Sequence, residues 1–164
     1  MSRKPAHGHV DHPEGKLGHP QNFCFGCGPD NPDGMKLQFF FDEAAHLAVC
    51  NFKLDRRYQG PPMHAHGGII ATILDEAMGK VNKLRNVIGL TKHMEVQYLK
   101  PVPLNKLLTV TAREQHITGR EHTNAADITN EDGELLARGT ATFVLIDPER
   151  MFKKLREAAG TQQD

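Results

Sequence analysis

The chain has no excess of either charge, with Lys plus Arg equal to Asp plus Glu at 20 each over 164 residues. Lacking a basic surplus, it has no long-range field to draw it onto nucleic acid or an anionic membrane, which argues against polyanion binding as its main function. Long apolar runs are missing too. The first twenty residues, MSRKPAHGHVDHPEGKLGHP, contain none that could serve as a signal-peptide core, and no later stretch approaches bilayer length. The expectation is a soluble, cytoplasmic protein with no membrane span. Cysteine is scarce and odd in number, at Cys24, Cys27 and Cys50, which points away from a disulfide framework and toward free thiols.

The length suits one domain with tails. Residues 1–22 are rich in His, Pro, Gly and charge and poor in large apolar side chains, and read as a flexible tail. The domain proper is expected over 23–147, with a C-terminal helix and tail over 148–164. Turn-rich Gly28-Pro29-Asp30-Asn31-Pro32-Asp33-Gly34 leads into two expected strands, Met35 to Phe41 and Leu47 to Leu54. Gly60-Pro61-Pro62 then forbids helix and makes a loop that delivers His64-Ala65-His66-Gly67-Gly68. Beyond it, Ile69, Ile70, Ile73, Leu74, Ala77, Met78 and Val81 recur at three- and four-residue spacing, the mark of a helix with a broad buried face.

Four further strands are expected at Leu90 to Leu99, Leu107 to Ile117, Thr123 to Thr129 and Leu135 to Ile146. Between them lie Lys100-Pro101-Val102-Pro103, Gly119-Arg120 and Asn130-Glu131-Asp132-Gly133, so the reading is a four-strand antiparallel meander. A last helix from Pro148 to about Ala159 starts with proline where the first turn tolerates it and reads as a surface appendage. One long helix between an early strand pair and a later meander is an α+β arrangement in which the sheet must wrap the helix to bury its apolar face.

His66-Gly67-Gly68, followed seven residues later by Asp75, resembles the hotdog-fold acyl-CoA thioesterases of the PaaI-like branch. Phe23-Cys24-Phe25-Gly26-Cys27-Gly28-Pro29, Tyr98-Leu99-Lys100-Pro101-Val102-Pro103 and Asp132-Gly133-Glu134-Leu135-Leu136-Ala137 are similar to the same family, so the likeness covers roughly residues 22–147. It implies a hotdog fold, an acyl-CoA substrate, no cofactor, and a homodimer assembling to a tetramer. By the same resemblance the catalytic carboxylate falls on Asp75, the pre-helix histidine on His66, the carbonyl-polarising backbone N–H on Gly67, and a hydroxyl that helps hold the attacking water on Thr91. Many relatives carry an Asn about six residues before the His, where this chain has Gly60. That position and Gly68 are taken as substrate-binding, and the role of the amide is either missing or supplied by Gln59.

These residue types suit thioester hydrolysis, which needs a base or nucleophile near the carbonyl carbon and donors that meet the charge growing on its oxygen. Asp75 can act as general base or form a transient anhydride. A backbone N–H at a helix N-terminus lacks an intrahelical partner and sits at the positive end of the dipole. An aspartate among Ile73, Leu74, Ala77 and Met78 is expected to be partly desolvated, which raises its pKa. His66 and Asp75 are nine residues apart, about half a turn out of phase and about 13 Å along a helix. They cannot easily serve one site within one chain, so His66 and Gly67 of one protomer are expected to face Asp75 and Thr91 of its partner.

Other residues carry less specific signals. Glu76 reads as exposed or ion-paired and as the fallback base, and His64 as structural or solvent-facing. Cys24-x-x-Cys27 has the spacing of half a zinc site or a redox pair, but no second cysteine pair exists and no metal is expected. His7, His9, His12 and His19 could supply further ligands. Lys92, Arg113, Arg120 and Arg138 could meet CoA phosphates but read first as surface charge. A hotdog dehydratase or hydratase, and a non-catalytic acyl-CoA-binding module, stand as the alternatives to hydrolysis.

Overall fold

The helix forms where the apolar spacing places it. In the computed structural model, which describes residues 8–10 and 21–160, α1 runs Gly67–Val81 and buries Ile70, Ile73, Leu74, Ala77, Met78 and Val81. The surface that covers them is a seven-stranded antiparallel sheet: β1 (Gly8–Val10), β2 (Phe40–Asp42), β3 (Leu47–Phe52), β4 (Ile88–Tyr98), β5 (Leu108–Thr118), β6 (Glu121–Asn130) and β7 (Leu135–Ile146). Alternate residues of the strands face the helix, such as Ala48, Cys50 and Phe52 of β3 and Leu108, Val110 and Ala112 of β5. One long helix wrapped by an antiparallel sheet is the hotdog arrangement.

Three departures from the sequence reading have physical causes. The strands are ordered β1-β2-β3-β5-β6-β7-β4, so only β5, β6 and β7 form the meander and β4 pairs with β7. The segment Lys100 to Pro103 is not a hairpin turn. Val102 and Leu104 are buried, and the Ala65 N–H donates to the Val102 carbonyl (2.9 Å) and the Leu104 N–H to the Met63 carbonyl (3.0 Å), which ties this connection to the loop before α1 and carries the chain across the sheet.

The first expected strand shrinks to Phe40–Asp42. Lys36 takes a left-handed backbone (φ 54°), and the N–H groups of Met35 and Leu37 bond the carbonyls of Phe25 and Gly26 rather than a neighbouring strand. Within the region read as a tail, Gly8–Val10 pairs with Phe40–Asp42; residues 1–7 and 11–20 lie outside the described residues. The C-terminal helix α2, Pro148–Gly160, forms as expected, with the Asp147 carboxylate accepting from the Arg150 N–H.

A buried polar contact fixes the far end of α1. Asn124 on β6 is fully buried and its amide donates to the Met78 carbonyl (2.9 Å) and to Asn82 Oδ1 (3.0 Å). Asn124→Ala would strand both acceptors without water, so we expect it to cost about 1–3 kcal/mol. The check is a lower urea midpoint at unchanged m-value, and a midpoint equal to wild type would refute the assignment.

Candidate active site

The pre-helix loop closes on itself before α1 begins. The His66 N–H donates to the Tyr58 carbonyl (2.8 Å) and the Gly60 N–H to the His64 carbonyl (2.9 Å). Gly60 is forced by this closure, because a Cβ there would stand 2.8 Å from His66 Cα. His66 is the N-cap of α1, its Nδ1 accepting from the Gly68 N–H at 2.9 Å. The Ile69 and Ile70 N–H groups bond the His66 carbonyl. Among the described residues, the Gly67 N–H is then the first-turn donor with no partner, at the positive end of the helix. It can donate to a negatively charged oxygen.

Tyr98, which the sequence reading places in a family-like segment but not among the site residues, completes this end. Its hydroxyl donates to the Gly67 carbonyl at 3.0 Å from the last residue of β4, and its ring lies 3.6 Å from where a Gly67 Cβ would be. The contact spans 31 residues of sequence, and the only local signal was a large aromatic at a strand end.

At the middle of α1, Asp75 and Thr91 come together: Thr91 Oγ1 donates to Asp75 Oδ1 at 2.8 Å. The register of β4 against β7 shifts between Thr91 and His93, a bulge that leaves Lys92 out of the ladder beside this contact. The chain therefore holds two separate groups, His66, Gly67, Gly68, Gly60 and Tyr98 at the helix start, and Asp75 with Thr91 further along. They remain separated by nine residues of helix, about 13 Å of axial rise.

Glu76 is not exposed. Its side chain is 10% accessible, with Oε1 3.6 Å from Lys80 Nζ and Oε2 3.5 Å from Cys24 Sγ, because the turn at residues 24–27 folds over that face of α1. His64 Nδ1 lies 2.9 Å from the Pro62 carbonyl, a local structural contact. A cavity of about 540 Å³ opens elsewhere, between the β5–β6 turn, the end of β7 and α2, lined by Arg120, Leu145, Asp147, Arg150 and Lys154 among others. Asp75 does not line it.

The basic residues considered for phosphates are engaged within the chain. Lys92 pairs with Glu121 (2.6 Å), Arg120 donates to the Leu145 carbonyl (2.7 Å), and Arg113 and Arg138 both bond Asp127 at 3.0 and 2.7 Å. Burial alone would raise the Asp127 pKa, but the two guanidiniums outweigh it and hold the carboxyl below the usual range. A depressed folded-state pKa stabilises above the unfolded value and loses that contribution as pH falls through the folded one. Asp127→Asn should thus be less stable than wild type at neutral pH, by about 1–2 kcal/mol after solvent screening. The gap should close below about pH 4, as urea midpoints across pH will show, and a gap that persists in acid would rule out the ion pair as its source.

Comparison with known proteins places this geometry. Residues 63–137 match the family model described as thioesterase superfamily. The chain is similar to acyl-coenzyme A thioesterase THEM4 of Rattus norvegicus, 31% identical over 71% of this chain and 51% of that one, so it spans about half the length of this curated relative. Among solved structures, a thioesterase superfamily protein superposes with a TM-score of 0.71 at 30% identity, over 74% of this chain and 60% of the other. A hypothetical thioesterase from Streptococcus pneumoniae TIGR4, solved with coenzyme A, gives 0.58 at 26% identity over 60% of this chain and 80% of its own. That protein has also been solved as an aspartate-to-alanine and as a threonine-to-alanine variant, the two positions sixteen residues apart. Among the described residues no helix is long and apolar enough to cross a membrane.

Proposed function

We propose that this chain, whose residues 63–137 belong to the thioesterase superfamily, is a cytoplasmic acyl-CoA thioesterase of the PaaI-like branch, with an active site shared between two protomers. The observation that carries the reading is the Asp75–Thr91 hydrogen bond on one face of the molecule together with an unpartnered Gly67 N–H at the start of the same helix. Asp75 is the base or nucleophile, Thr91 orients it, and the Gly67 N–H meets the oxyanion. Asp75 and Thr91 are sixteen residues apart, the separation of the two positions varied in the streptococcal relative solved with coenzyme A.

The free edge of the sheet supports a shared site. β4 is terminal and eleven residues long, with Leu90 and Tyr98, and Leu99 just past its end, each about half exposed, and an unpaired edge of this kind invites pairing. An antiparallel pairing of β4 with the β4 of a second copy, its two-fold at Glu95, lays the Thr91–Lys92 bulge opposite the partner's Tyr98. Opposite residues on paired strands are about 5 Å apart, so the helix start that Tyr98 holds arrives beside Asp75. Such a pairing would close the separation of about 13 Å that one chain leaves between His66 and Asp75.

The test is free-thiol release from a panel of acyl-CoAs, short, long and aromatic. Turnover with one class supports hydrolysis and names the acyl group. Tight ester binding without thiol release from any of them would leave a binding module, and loss or gain of water across a double bond would leave a hydratase.

A further inference from the structure

Thioester hydrolysis gives Cys24 and Cys27 no part, yet the fold assembles a compact polar cluster around them. Their turn is closed by the Gly28 N–H donating to the Cys24 carbonyl at 2.8 Å, and it lies against α1 at Glu76. Both Sγ atoms and a Glu76 oxygen fall within 4.8 Å of one another, with Cys24 Sγ 3.5 Å from Glu76 Oε2. Gly26 makes the approach possible, since a Cβ there would stand 2.7 Å from Glu76 Oε2. The remaining Glu76 oxygen is 3.6 Å from the ammonium of Lys80, which is only 2% accessible.

We propose that Cys24, Cys27 and Glu76 bind one zinc ion. Cys-x-x-Cys is the usual spacing for two thiolates on zinc, and a sulfur at about 2.3 Å and an oxygen at about 2.0 Å on a tetrahedral ion are themselves about 3.5 Å apart. The Cys24–Glu76 separation already has that value. Charge also closes: two thiolates and a carboxylate against a divalent ion and the Lys80 ammonium sum to zero, the condition under which charges tolerate burial. A thiol binds zinc as its thiolate. Binding therefore replaces the two thiol protons, which pass to solvent, and water takes the fourth position. The third ligand lies 52 residues beyond Cys24, which the cysteine spacing alone does not reveal. The ion fastens the segment around residues 22–37 to the helix that carries Asp75.

The test does not depend on turnover, so it stands or falls separately from the thioesterase reading. The full-length, tag-free chain, isolated without chelator, should contain one zinc per chain by elemental analysis. Cobalt(II) exchanged into the wild-type protein should give the thiolate charge-transfer band and the intense visible bands of a tetrahedral site. The Cys24→Ser, Cys27→Ser double variant should lose the metal, whereas a variant with His7, His9, His12 and His19 replaced by Gln should retain it. Zinc that follows the histidines, wild-type protein with neither zinc nor a cobalt–thiolate band, or a Cys24–Cys27 disulfide in freshly isolated protein would each overturn the proposal. The cobalt measurement on wild type decides even if the cysteine variant fails to fold.

Discussion

Asp75→Asn should fold as wild type does and lower kcat for acyl-CoA hydrolysis by about 10²–10⁴-fold while leaving KM within a few-fold. Asparagine keeps the size and shape of the side chain and still offers Thr91 Oγ1 an oxygen to bond, so the 2.8 Å contact can survive while the charge and basicity are lost. Both routes open to Asp75, general base and anhydride-forming nucleophile, end with that change. Glu76 cannot take over, because its carboxylate is committed to Lys80 and the Cys24 side of the helix. Thr91→Ala removes one hydrogen bond to a charged group, a loss of about 1.5–3 kcal/mol, and should slow kcat by only about 10- to 150-fold. Thiol release by the two variants, beside matched thermal melts, provides the check. A folded Asp75→Asn enzyme with near wild-type kcat would remove Asp75 from the chemistry.

What the sequence disclosed, and what it hid, divides along range of contact. α1 and the hairpins β5–β6–β7 were legible because each depends on its own periodicity and on turn residues a few positions away: Ile73, Leu74 and Ala77 on one helix face, and Gly119 and Gly133 at positive φ in the turns. The placement of β4 beside β7 was not legible, since it depends on Val102 and Leu104 docking the connection onto the loop before α1. The loss of the strand over Met35 to Phe39 had the same kind of cause, a backbone partner ten residues upstream at Phe25. At the site, family resemblance named Asp75 and Thr91, and the helix-start position explains His66 and Gly67. Tyr98 and the burial of Glu76 arise from contacts across 31 and 52 residues, and no local pattern encodes them.

Mixing two inactive variants should restore about a quarter of wild-type activity if each site draws Asp75 from one protomer and Gly67 from the other. Gly67→Pro is the natural partner for Asp75→Asn. Proline removes the one N–H assigned to the oxyanion, yet it occupies the first helical position, where its ring and fixed φ are tolerated. Alone, each variant spoils both sites of its dimer. When the chains are co-refolded at equal amounts, about half of the dimers are mixed, and each mixed dimer joins the intact Asp75 of one chain to the intact Gly67 of the other in one of its two sites. A site built within one chain predicts no recovery, because every chain in the mixture carries a lesion. Breaking the β4 edge provides the independent arm. Val96→Pro denies a backbone N–H to the central part of the strand that would pair with the second copy, so it should yield monomers with the activity of neither half-site. Light scattering and thiol release on the same samples link the two readouts. An active monomer, or a mixture no better than its parts, would refute the shared site and place the whole reaction in one chain.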